Sequence, residues 1–198
     1  MLNLVSRRTK LSMRRSFELL VAVIGLLLCF FPLFILLFPL YCFYGGTPIF
    51  KSARIGYAGV PFVIYKFRTM RVDTPLVSTG DLTNTDSFLL PFGRLLRLSS
   101  VDEIPQFINI IKGDMNLVGP RPALPTDKNL IKLRRNLGVN LMRPGITGLA
   151  QVNGRDSLSI DEKVNFEAMY LNNQSLPVYF SILLKSFKIC VTGADISH

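Results

Sequence analysis

Two adjacent carboxylates, Asp102 and Glu103 in SSVDEIPQ (99–106), stand in a chain of 198 residues with 23 lysines and arginines against 13 aspartates and glutamates. The formal net charge is +10, and the single histidine is the last residue, His198. With no imidazole nearby in sequence, a Ser-His-Asp triad or a histidine-based zinc hydrolase is disfavoured. Nucleophilic or acid–base work then falls to carboxylates, helped by lysine, arginine or a hard metal ion. A structural role competes with this, because Ser100-Val101-Asp102-Glu103 has the S-x-x-E pattern of a helix capping box. Pro105 fits that role poorly, since it enters the first turn without an N–H. Arg94, Arg97, Lys112, Arg121 and Arg143 are also more cations than a cap requires.

Neighbouring helical residues point about 100° apart, so separate duties are expected for the pair rather than one shared proton. A carboxylate at a helix start among arginines is expected to stay ionised, which suits a nucleophile toward phosphorus or a ligand for Mg²⁺. The arginines sit on Gly/Pro-rich stretches, DMNLVGPRP (114–122) and MRPGITGLAQVNGR (142–155). Such loops suit bidentate binding of a phosphorylated ligand.

The elements that must hold these groups follow from the pattern. Residues 19–44 carry no charge, which exceeds the roughly 20 apolar residues a membrane crossing needs. Basic residues flank this stretch on both sides, and Pro32 lies near its middle. Two crossings would need about 40 apolar residues, and the positive-inside rule places both flanks in the cytoplasm. Together these features predict a re-entrant helix–break–helix with the break at Pro32, with a single-pass anchor as the alternative, forming a unit over 1–46, followed by a catalytic domain over 47–198.

Within the second unit, two β-rich runs around Gly56 and Gly59 predict a hairpin over 49–70. Helices are expected over 92–98, 101–112, 128–137 and 159–172, with Ile104, Phe107, Ile108 and Ile111 facing the core and Gly113 as a stop. The apolar segment 178–191, which carries Lys185 and Lys188, suits an interfacial helix. The fold class is therefore α+β and mainly helical. Cys29, Cys42 and Cys190 show no metal-ligand spacing and fit a reducing compartment.

The succession FKSARIG, YKFRTM, SSVDEIPQ, KGDMNLVGPRP and RPGITGLAQVNGR closely resembles the bacterial sugar transferase family, the monotopic phosphoglycosyl transferases, in order and across nearly the whole chain. The resemblance implies transfer of a phosphosugar from a UDP-sugar to a polyprenol phosphate, releasing UMP. It implies Asp102 as nucleophile forming an aspartyl phosphosugar, with Glu103 supporting the site and Mg²⁺. Arg97, Arg121, Arg143, Arg155, Lys66 and Arg68 are the expected phosphate-binding groups, and Pro32 is the membrane hinge. The short chain looks like minimal members of the family, which suggests an N-acetylated amino sugar, with galactose or glucose as the alternative. Placement on the cytoplasmic face of the bacterial inner membrane is implied, with room for a homodimer and no role for nucleic acid. A lipid-binding protein without catalysis is the reading from another class, and a pI near 9.9 permits it. Two departures from the family pattern stand out: Glu18 replaces an aspartate before the apolar segment, and Phe31 replaces a serine before the hinge proline.

Overall fold

The computed structural model describes residues 2–44, 46–75, 85–154 and 157–192. Helix α1 (Leu2–Gly25) runs through a five-residue π turn, Leu26–Phe30, into α2 (Phe31–Tyr44). The chain therefore stays helical where the sequence predicts a break. Pro32 has no N–H to offer, and the preceding Phe31 N–H reaches back five residues to the Leu26 carbonyl. Widening the turn accommodates the proline without breaking the helix.

The predicted hairpin forms from β1 (Ile49–Ile55) and β2 (Pro61–Phe67), antiparallel from Ile49↔Phe67 to Ile55↔Pro61. Ala58 and Gly59 turn it with positive φ. Helix α3 (Gly93–Leu98) follows, then a 3₁₀ segment, Val101–Gln106, and α4 (Phe107–Lys112), which Gly113 ends at φ 88° as expected. Strand β3 (Asn116–Val118), α5 (Lys128–Asn136), β4 (Gly145–Thr147), α6 (Ile160–Asn172) and α7 (Leu176–Thr192) complete the chain. Ser159 and Glu162 make a true capping box at the start of α6.

Strands β3 and β4 pair in parallel, Asn116↔Gly145 and Val118↔Thr147, inside the stretches read from sequence as loops. Their approach is closer than side chains allow, since a Cβ on Gly145 would lie 2.1 Å from the Gly119 nitrogen. The glycines of GPRP and RPGITG therefore let two loops meet backbone to backbone.

Ile110 is fully buried and Ile111 is exposed, so the core face of the 101–112 segment differs from the expected one. The cause is its first half, where three residues per turn instead of 3.6 rotate the face that follows. Two apolar clusters result. One joins Ala22, Ile64, Ile110, Val118, Val164 and Ile182, and the other seats Leu37 and Tyr41 of α2 on Phe67, Leu90 and Leu96. A buried ion pair ties α5 to α6: Arg134 Nε donates to Glu167 Oε2 at 2.7 Å and a second N–H of the same guanidinium meets Oε1.

The span Met13–Pro39 is long and apolar enough to cross a membrane. Its inner face touches the globular body at intervals: Glu18 against Tyr179, Gly25 against Phe107, Phe30 stacked on Phe67 at 5.6 Å, and Tyr41 donating to the Arg68 carbonyl at 2.7 Å. Its outer face exposes Phe17, Leu20, Ile24, Leu28, Phe31 and Ile35. Helix α7 exposes Phe180, Leu184 and Phe187, and the Phe17 and Phe180 rings meet edge to face at 5.6 Å.

Candidate active site

The Asp102–Glu103 pair lies in the 3₁₀ segment, entered through Ser100 in the left-handed region at φ 55°. Ser100 gives no side-chain cap, and the capping-box reading fails: Glu103 turns away from the backbone of Ser100 toward basic side chains. A left-handed serine is a backbone expense of about 1–3 kcal/mol, of the kind found where a site is over-determined by its surroundings. Both carboxylates are buried, at 7% and 8% exposure.

Lys66 supplies the central cation. Its Nζ lies 2.6 Å from Glu103 Oε1 and 3.8 Å from Asp102 Oδ2. On β2, Phe62, Ile64 and Lys66 share one face by the strand's alternation, so the residue that follows buried Ile64 on that face points inward at the carboxylates. The two acids thus share one ammonium. Asn109 holds the strand in register with the helix: its amide donates to the Val63 carbonyl at 2.7 Å and its Oδ1 accepts from the Tyr65 N–H at 3.2 Å.

Arg121 Nη1 approaches Glu103 Oε1 at 3.6 Å, and the Arg97 guanidinium acts on Asp102 through its charge. Burial pushes the Asp102 carboxyl above the ordinary carboxylate range. Lys66 opposes this, Glu103 adds to it, and Arg97 and Arg121 oppose it more weakly. Desolvation is thus the largest influence on this acid, and the cations beside it act in the opposite direction, toward the ionised form.

A cavity of about 180 Å³ opens beside the pair, lined by Ser100, Glu103, Arg121, Thr147, Gln151 and the α7 residues Ser186 and Cys190. Asp102 is not among its lining residues, although its neighbour Glu103 is. Thr147 Oγ1 and both amide atoms of Gln151 are buried with no hydrogen-bond partner among the described residues. So is Arg54 Nε, on β1, where burial and the neighbouring Arg121 lower the guanidinium pKa. Unsatisfied buried polar groups are rare enough to need an explanation, and a bound polar ligand is one.

Of the phosphate-binding residues expected from sequence, Lys66, Arg97 and Arg121 converge on the carboxylates. Arg68 does not, since its guanidinium is held by Thr47 through the carbonyl at 2.9 Å and the hydroxyl at 3.3 Å. Arg143 lines a different cavity, with Arg14, Arg15 and Glu18. Arg155 lies outside the described residues. Sequence reasoning missed Arg54, Asn109, Thr147 and Gln151. The motifs FKSARIG and RPGITGLAQVNGR contain three of them, but charge drew attention away from the neutral residues. An asparagine set in the apolar run of α4 was the signal for the fourth.

A profile of the bacterial sugar transferases matches residues 9–193. The chain belongs to the bacterial sugar transferase family. It is 38% identical over 172 residues to the uncharacterized sugar transferase EpsL of Bacillus subtilis, covering 86% of this chain and 83% of that protein. It is 32% identical over 203 residues to the undecaprenyl-phosphate galactose phosphotransferase of Salmonella typhimurium, covering 94% of this chain and 42% of that one. Against the UDP-glucose:undecaprenyl-phosphate glucose-1-phosphate transferase of Escherichia coli it is 36% identical over 144 residues, with 69% and 31% covered. This sugar transferase chain thus spans less than half the length of the two relatives with named substrates.

Proposed function

We propose that this chain transfers a sugar-1-phosphate from a UDP-sugar to a polyprenol phosphate. The observation that carries this reading is the buried Asp102–Glu103 pair, bridged by Lys66 and opened to a cavity through Glu103 and Arg121. The family gives the reaction class, and the names of the Salmonella and Escherichia relatives favour a hexose, galactose or glucose, over an N-acetylated amino sugar. The amino sugar is the second reading, resting on chain length alone.

In the reaction, an Asp102 carboxylate oxygen attacks the β-phosphorus of the donor. The bond from that phosphorus to the bridging oxygen breaks, UMP departs, and an aspartyl phosphosugar forms. An oxygen of the polyprenol phosphate then attacks the same phosphorus, freeing the carboxylate and giving the polyprenol-diphosphate sugar. The nucleophile is a carboxylate, so no base is needed to remove a proton. Both substrates are anionic, and Lys66, Arg97 and Arg121 offset the repulsion that attack would otherwise meet. Thr147 and Gln151 offer the substrate's polar groups partners in a cavity where they otherwise have none.

Among the described residues no group of three or more histidine, cysteine or acidic side chains is placed to hold a metal. Two adjacent carboxylates still fit Mg²⁺, which usually takes one or two from the protein and the rest from phosphates and water. Asp102 and Glu103 would hold the ion, which when bound supplies charge neutralisation at the diphosphate.

The membrane placement we infer is monotopic. A helix that crosses the bilayer clear of its domain is surrounded by lipid, whereas this one meets the globular body from Glu18 to Tyr41 on one face and is apolar on the other. The π turn before Pro32 is the hinge of a re-entrant helix in this reading, and basic flanks keep both ends on the cytoplasmic face. The exposed stripe of α7 continues the same apolar surface.

The test is intact mass of the detergent-solubilised protein with Mg²⁺ and UDP-galactose, UDP-glucose or UDP-N-acetylglucosamine, without lipid acceptor, beside Asp102→Asn. A gain of one phosphosugar in the unsubstituted protein alone supports the covalent step and identifies the donor. UMP release by Asp102→Asn at the normal rate, once polyprenol phosphate is added, removes Asp102 from the chemistry.

A further inference from the structure

We propose that the cavity between α1, β3 and α6 is a second anion site, built for a phosphate group and separate from the Asp102 site. It measures about 300 Å³, and three arginines from distant parts of the chain line it: Arg14 and Arg15 on α1 and Arg143 in the loop before β4. They face one carboxylate, Glu18. None of these residues lines the cavity beside Asp102.

The site is organised in advance. Arg14 Nε donates to Glu18 Oε1 at 3.2 Å, and its guanidinium lies 4.8 Å from the centre of the Tyr179 ring. Arg15 is fixed by the carbonyls of Ile110 at 2.5 Å and Met115 at 3.4 Å. Glu18 also accepts from the Tyr179 hydroxyl at 3.1 Å, so the acid that orients the arginines is itself held. Charged donors fixed before a ligand arrives bind it without the entropy loss of ordering them.

A second observation points to a ligand. Tyr170 lines the cavity at 2% exposure, and its hydroxyl, beside the Arg14 guanidinium, finds no acceptor for its proton among the described residues. A buried donor left open beside guanidinium groups matches a phosphate oxygen, which accepts from both. Arg143 is exposed at the rim and closes the positive wall opposite α1. The phosphate could come from a phospholipid headgroup or from solution. Just past Arg15, Phe17 and Leu20 turn apolar surface outward, so a headgroup bound here would lay its chains along that surface.

Two measurements test this. Calorimetric titration of the detergent-solubilised full chain with inorganic phosphate compares the unsubstituted protein with Arg143→Ala and Tyr170→Phe, and with Arg121→Ala to remove phosphate binding beside Glu103. Native mass spectrometry after release from nanodiscs of phosphatidylglycerol and phosphatidylcholine counts the phosphatidylglycerol each variant retains. At least fivefold weaker phosphate binding in Arg143→Ala and Tyr170→Phe, with this component kept in Arg121→Ala, supports a site for free phosphate. At least fivefold less retained phosphatidylglycerol in the same two variants supports the headgroup source. Phosphate affinity and lipid retention unchanged in both variants overturn the proposal. The Tyr170→Phe change deletes only the hydroxyl, so loss of binding there does not arise from misfolding.

Discussion

Replacing Lys66 with methionine removes the ammonium that reaches both buried acids while keeping most of the side chain's volume. At the 3.8 Å separation from Asp102, the pair interaction is about 4 kcal/mol at an effective dielectric near 20. Removing one partner of a buried ion pair has a measured net effect of about 3–5 kcal/mol, because the remaining charge is left uncompensated. Two consequences follow for Asp102. Burial already raises its carboxyl pKa and Lys66 is the largest opposing influence, so Lys66→Met raises it further. In the proposed reaction attack needs the ionised form, so the acid limb of the UMP-release profile is expected to move to higher pH.

Stability changes with a definite sign. A carboxyl whose folded pKa lies above its unfolded one binds protons more tightly when folded, so stability falls as pH rises past the ordinary carboxylate range. The variant's deficit is therefore expected to grow as pH rises through the ordinary carboxylate range and to shrink toward acid pH, where Asp102 takes up its proton in either protein. The assays are UMP release and thermal midpoint, each from pH 4 to 9, with Lys66→Arg retaining the charge and keeping its acid limb near the original. An acid limb unmoved in Lys66→Met, or a stability gap constant across that range, would refute the electrostatic role of Lys66.

Asp102→Asn is expected to melt higher than the unsubstituted protein at pH 8, since it removes an acid that burial destabilises when charged, with the gap closing as pH falls. Equal midpoints at all pH values would mean the acid is already well solvated. Glu167→Ala leaves Arg134 buried without its partner and is expected to lose about 3–5 kcal/mol in denaturant unfolding, with Glu167→Gln losing less. Gln151→Ala is expected to raise KM for the UDP-sugar about fivefold, a loss of about 1 kcal/mol, with the thermal midpoint nearly unchanged because its amide makes no hydrogen bond among the described residues. A fall in midpoint without a change in KM would make Gln151 a packing residue.

The exposed apolar faces of α1 and α7 meet at Phe17 and Phe180, and the inner contacts of α1 and α2 hold this apolar helix against the body that carries the carboxylate pair. Glu18 shows how this is anchored. Its side chain is buried between Arg14, Arg15 and Tyr179. The middle of α1 is thereby fastened to α7.

Local pattern was enough for much of this protein. The β-rich runs and glycines of 49–70 determined the hairpin, and the charge-free length of 19–44 determined a helix long and apolar enough to cross a membrane. The Asp-Glu pair among arginines marked the candidate site, because those features depend on residues close together in the chain. Tertiary structure decided what depends on distant approach. It showed that Lys66 bridges the two acids, that Arg143 belongs to another cavity, and that the GPRP and RPGITG loops pair as strands. It also showed that Pro32 is absorbed by a π turn. A strand of three residues carries too few positions for a period to appear, and an arginine's charge says nothing of which cavity its side chain reaches. The same holds for Asp102. Its neighbours in sequence promise an ionised acid, and only its burial, set by β2 and the 3₁₀ turn, pushes its pKa the other way.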